Sequence, residues 1–220
     1  MPQCKICEKK GIFLSLTPSG LCKDCAPLVA RDINQRAKII GDCVNIMKKS
    51  KNLKTRVSRC DVLREQAEAL LDYERKDIPT LEVPPSEVIE ACKSDREELI
   101  CEGVETEVRE ALGKAEVTTS LKKKITAAEK ALLIIQEWRA ELRDPSKLDT
   151  LDSGVKKFIY KTQLDSYLET ARKAEFKGQK KKALDQYQEA LYYLRTDAVD
   201  DSAQESQIAE LERKIEELQN

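Results

Sequence analysis

The sequence predicts a mainly α-helical chain that begins with a small cysteine-rich finger carrying a β-hairpin. Three observations carry that prediction. Charged residues make up 36% of the 220 residues against 40% apolar, with seven glycines and seven prolines, the composition of long amphipathic helices with charged outer faces. Beyond residue 26, apolar side chains recur at helical spacing almost to the C-terminus. Half of the eight cysteines fall within residues 4–25, as two C-x2-C pairs separated by fourteen residues.

In residues 1–26, Ile12–Leu16 is apolar, Thr17-Pro18-Ser19-Gly20 has turn chemistry, and Leu21-Cys22 returns, so a short hairpin is expected. A C-x2-C pair chelates from one tight turn, and a hairpin between two such pairs closes a tetrahedron of Cys4, Cys7, Cys22 and Cys25. Paired thiols in a chain without histidine point to one structural Zn²⁺ held by four thiolates. Iron–sulfur or redox use of the same thiols is the alternative. Lys9-Lys10-Gly11 resembles a zinc-knuckle turn in which Gly11 takes a positive backbone angle, and the whole resembles a treble-clef or short zinc-ribbon finger. Lys5, Lys9, Lys10 and Lys23 are placed to offset the negative charge that four thiolates leave on one zinc ion.

The helices follow in order. Pro27 suits a first turn, and Leu28, Ile33, Ala37, Ile40, Val44 and Met47 mark a first helix. Leu53, Val57, Cys60, Leu63, Ala67 and Leu70 mark a second, ending near Arg75, so residues 27–76 read as an antiparallel hairpin. Residues 77–85, with Pro79, Pro84 and Pro85, read as a linker and a boundary. Ser86 is expected to cap the next helix, and residues 86–149 form a second hairpin whose inner positions run from Val88 to Leu142. Residues 150–220 hold two more helices, broken at Gly178, and a last helix from about Ala203 with Ile208, Leu211, Ile215 and Leu218 in a 3-4-3 rhythm. That last helix reads as a cap, with a homodimer arm as the alternative.

Shifting the chain by 59 residues aligns Glu110 with Glu169, Lys114-Ala115-Glu116 with Lys173-Ala174-Glu175, Lys122-Lys123 with Lys181-Lys182, and Ala131-Leu132 with Ala190-Leu191. Two related helix-turn-helix units are therefore expected. The second places Ala171, Ala174, Gly178, Ala183, Tyr187 and Ala190 as a tetratricopeptide repeat does, and residues 164–197 resemble that family; the first departs from it at Leu112, Thr119 and Lys124. The resemblance implies binding of peptides or partner proteins. Over most of its length the chain also resembles proteins of bacteria and their phages that join a segment like KGIFLSLTPSGLC to one like AEFKGQKKKALDQYQEALYYL. That likeness implies an architecture and carries no chemistry.

Other signals have plainer readings. Cys43, Cys60, Cys92 and Cys101 lack paired spacing and read as small core residues. Trp138, Tyr160, Tyr167, Tyr192 and Tyr193 read as packing, with a partner surface as the alternative. Lysines gather at Lys48–Arg56, Lys122–Lys124 and Lys180–Lys182 as solvated turns, or as a phosphate-binding edge. No catalytic residues are assigned: histidine is absent, and so is a glycine-rich phosphate loop. A net charge of −1 gives no field toward nucleic acid or an anionic membrane. The longest apolar run, Ala131–Ile135, is too short for a membrane span. The expectation is a soluble cytoplasmic, non-enzymatic adaptor with a protein partner, of the kind a phage or a host defence uses for regulation. A nucleic-acid-binding regulator built on the finger and the lysine turns is the alternative.

Overall fold

A computed structural model describes residues 1–196 and 201–219. The described residues divide into two compact units at Val104/Glu105. The proline segment 77–85 lies inside the first unit, where Ile78 is buried.

In the first unit a short loop-rich head precedes α1 (Cys25–Lys49), α2 (Leu53–Glu68) and α3 (Leu71–Arg75), and α4 (Pro85–Glu116) begins. The sequence places the start of α1 at Pro27, but the helix opens at Cys25, so the last cysteine of the motif sits in its first turn. Asn52 caps α2, its side chain accepting a hydrogen bond from the Thr55 N–H at 2.8 Å. The expected helix from Leu53 to Arg75 breaks after Glu68, and the fully buried Leu70 marks the bend into α3. α1 and α2 pack together, as the apolar stripes predict. Arg36 on α1 donates to Gln66 on α2 at 2.9 Å, and Tyr73 on α3 donates to Asp32 on α1 at 3.0 Å. Burial, then that hydrogen bond to Asp32, pushes the Tyr73 phenol above its ordinary pKa.

Ser86 does not cap α4. Pro85 is already helical, and the Ser86 N–H and hydroxyl both donate to the Glu74 carboxylate, at 3.0 and 2.5 Å. An acid from the neighbouring helix therefore supplies the negative charge that a helix start favours.

The second unit contains α5 (Leu121–Arg139), a 3₁₀ turn (Pro145–Leu148), α6 (Asp149–Phe176), α7 (Lys180–Arg195) and α8 (Asp201–Gln219). Its core joins Leu164, Ala171 and Ala174 of α6 to Ala183, Tyr187, Ala190 and Leu194 of α7 and Leu211 and Ile215 of α8. The α6–α7 turn closes as the sequence requires. Gly178 has φ +68°, its N–H bonds the Glu175 carbonyl at 2.9 Å, and the Gln179 N–H bonds the Ala174 carbonyl at 2.9 Å, a Schellman end in which glycine takes the left-handed position. Tyr187 is buried in this core with its hydroxyl donating to Glu175 at 2.9 Å. Ile208 and Leu218 of α8 pack on the same core as Leu211 and Ile215, so the 3-4-3 stripe is satisfied within the chain. No described helix is long and apolar enough to cross a membrane.

Candidate metal centre

The head is held by its own backbone. The Cys4 N–H donates to the Lys9 carbonyl and the Glu8 N–H to the Cys4 carbonyl, both at 3.0 Å, folding the first cysteine pair into a tight turn. The positive backbone angle that this turn demands falls on Glu8, φ 57°, and not on Gly11 as the knuckle resemblance suggests. Across the head, the Lys5 N–H bonds the Gly20 carbonyl at 3.0 Å, and the Thr17 N–H bonds the Leu21 carbonyl at 2.8 Å. The expected β-hairpin does not form as strands among the described residues. Isolated antiparallel bridges, Gln3 with Lys10 and Leu16 with Cys22, stand in its place. A segment this short, with a bond-rich turn at each cysteine pair, has too few free backbone groups left for a ladder.

These turns bring the four predicted thiols together. The Sγ atoms of Cys4, Cys7, Cys22 and Cys25 all lie within 4.8 Å of one another, and Cys7 and Cys22 are 3.8 Å apart. A tetrahedron with metal–sulfur bonds of about 2.3 Å has edges of about 3.8 Å, so the donor set fits one four-coordinate metal ion. The Cys22 N–H points at the Cys4 sulfur from 3.3 Å. That N–H, with a second from Cys7, holds the Cys4 thiol down to about 6, which favours its thiolate at neutral pH. The Cys25 thiol is pushed up to about 12, first by its hydrogen bond with Cys22 and then by burial. Four sulfurs this close cannot all ionise without a cation among them.

The site is anchored from below. Cys4, Leu21 and Cys22 share a buried cluster with Val29 and Ile33 of α1, with Leu70, and with Ile78 of the proline segment. The Lys5 stem packs over Gly20 and its ammonium donates to the Asp77 carbonyl at 3.1 Å. By contrast, Ile12 and Phe13, midway between the two cysteine pairs, are exposed, Phe13 entirely so.

The remaining cysteines divide. Cys43 of α1, Cys60 of α2 and Cys92 of α4 meet in an apolar cluster with Leu63, and the Cys60 thiol donates to the Cys92 carbonyl at 3.6 Å. Its own hydrogen bond to the Cys60 sulfur, then burial, raises the Cys92 thiol far above its ordinary range. Cys101 lies outside that cluster. Among the described residues the N-terminal four are the one group of thiols, carboxylates or imidazoles spaced to hold a metal. All eight cysteines are free thiols. Of the aromatic residues, Trp138 is buried, Tyr160 stacks on Tyr193 with ring centres 4.9 Å apart, and Tyr192 is exposed. The sequence places Phe13 in the apolar run Ile12–Leu16 of the expected hairpin and gives it no functional role.

No protein-family model, no curated protein and no solved structure matches this chain.

Proposed function

We propose that this chain is a non-enzymatic adaptor whose N-terminal head is ordered by one structural zinc ion and presents the loop Ile12–Phe13 to a protein partner. The observation that carries the reading is the pairing of a four-sulfur donor set with an adjacent, fully exposed aromatic. Four thiolates fill the tetrahedral shell of zinc and leave no position for water or substrate, which is the chemistry of a structural site. Large apolar side chains left in water beside a rigid scaffold are the anchors on which protein interfaces concentrate their energy. The small-residue contacts of α6 and α7 support a tetratricopeptide-like second surface. Free thiols throughout support a reducing, cytoplasmic setting, and regulation in a phage or a host defence is the setting its resemblances suggest.

The test is affinity capture from the native cell with the parent chain, with Phe13→Asp, which keeps every metal ligand, and with Cys22→Ser/Cys25→Ser. Loss of the same partner in both variants supports the reading. Retention in both moves the contact to the helices, and absence of any specific partner rejects the adaptor.

A second reading, a nucleic-acid-binding regulator, draws on the exposed Lys9 and Lys10 and the exposed Phe13 a few residues later in the same head. A cationic rim around a free aromatic face is the chemistry of single-strand stacking. Titration with DNA and RNA at low and moderate salt decides it, since no binding at either salt removes this reading.

A further inference from the structure

Between the C-terminal part of α4 and α5 lies a cleft of about 720 Å³. Its lining includes Lys114 from α4 and Lys122, Lys123 and Lys130 from α5. The chain turns between the two helices at residues 117–120, so Lys114, Lys122 and Lys123 share the end of the cleft nearest the turn. None of the four lysines forms an ion pair among the described residues. The start of α5 adds to the positive field. Its first turn has no acidic residue, and the Ser120 side chain makes no capping hydrogen bond, although helix starts favour negative charge.

The internal repeat supplies a control. On the equivalent face of α6 and α7, Glu169, Asp185 and Glu189 balance Lys173, Lys181 and Lys182, and Lys173 pairs with Glu169 at 2.5 Å. In the first copy Thr126 stands where Asp185 does and Lys130 where Glu189 does, leaving four lysines against Glu107 and Glu110. Shape differs in the same sense. Ala171 and Ala183 are fully buried where α6 meets α7, whereas Leu112 and Lys124 hold those positions in the first copy and are half-buried. The first pair thus carries bulkier side chains than the second at these two positions.

We propose that this cleft binds a small organic phosphate, its phosphate held at the Lys114, Lys122 and Lys123 end and its apolar body laid over Ala111, Ala127 and Ile134. Two net positive charges and the free amides of a helix start match a phosphate dianion. The volume suits a ligand of nucleotide size. Glu107 and Glu110 on the α4 wall repel an extended polyanion threaded through the cleft, which favours a compact ligand over a nucleic-acid strand. The proposal does not depend on the metal or on the adaptor reading.

The experiment is calorimetric titration of the full, metal-loaded chain with ATP, tripolyphosphate and adenosine. The variants are Lys122→Glu/Lys123→Glu and, as control, Lys181→Glu/Lys182→Glu. ATP is expected to bind at a single site and adenosine not to bind. The first variant should weaken ATP binding by about tenfold or more while melting no lower than the parent, because acids at a helix start are stabilising. That opposite movement of binding and stability separates a lost site from a lost fold. The control should leave ATP binding within about twofold of the parent. ATP binding more tightly than tripolyphosphate supports both halves of the site, and equal affinities overturn the apolar half. Failure of both phosphates to bind at millimolar concentration, or an equal loss in the control variant, overturns the proposal. So does a single-stranded oligonucleotide that displaces ATP and binds more tightly.

Discussion

Glu8 is held at φ 57° by the turn that sets Cys4 and Cys7 facing the site. A side chain in the left-handed region costs about 1–2 kcal/mol, and glycine avoids that cost while losing more freedom on folding. Glu8→Gly is therefore expected to stabilise the head by about 0.5–1 kcal/mol, read as a later chemical denaturation of the metal-loaded chain. At Gly20, φ 77°, the reverse holds: an added Cβ would be strained and would lie 3.0 Å from the Lys5 stem. Protonation makes a second prediction at the same site. The Cys4 thiol is held from 9.0 down to about 6, so its thiolate stabilises the fold above the ordinary value and that contribution is lost as pH falls through about 6. Zinc uptake by the metal-stripped chain should be fast at neutral pH and fall steeply below that point, measured by stopped-flow with a zinc indicator. The ligand set was legible because two C-x2-C pairs are a local pattern. The strain at Glu8 was not, because it follows from which carbonyl the Cys4 N–H meets across the turn.

Along α4, two glycines that look alike in sequence differ in surroundings. A Cβ built on Gly103 would lie 2.8 Å from Cδ2 and 3.0 Å from Cγ of Leu53, which is itself buried at the start of α2. Nothing lies within 4 Å of the corresponding position at Gly113. Glycine inside a helix costs about 1 kcal/mol relative to alanine, so Gly113→Ala should stabilise the chain by roughly that amount. Gly103→Ala should destabilise it by about 1–3 kcal/mol, the cost of overpacking a filled core. Thermal unfolding of the two variants side by side checks the sign. Both glycines sit within a continuous helix, and periodicity alone gives no reason to separate them. The apolar stripes did predict the α1–α2 pair and the close α6–α7 pair, because helical spacing records which face is buried. The bend at Leu70 escaped, since a buried leucine fits a helix and a turn equally well.

The two compact units are expected to respond differently to removal of a bound metal. The site shares its apolar cluster with α1, Leu70 and Ile78, all within the first unit, whereas the core of α6, α7 and α8 contains no ligand. A head this small is expected to need the ion to hold its turns, although backbone bonds shape them. Chelation is expected to expose the amides of residues 3–25 and the first turns of α1 to hydrogen exchange, while α6 and α7 keep their protection. Exchange rising equally in both units would show that the metal does not hold the head in particular. The chain's paired thiols, its helical stripes and the glycine that ends α6 could be read without coordinates, because each is fixed by chemistry within a few neighbouring residues. Folding alone settled that Cys43, Cys60 and Cys92 share an apolar cluster, that Phe13 is left in water, and that four lysines face one cleft without an ion pair among the described residues. Those facts depend on which distant side chains meet, and a one-dimensional pattern of polarity does not specify its partners.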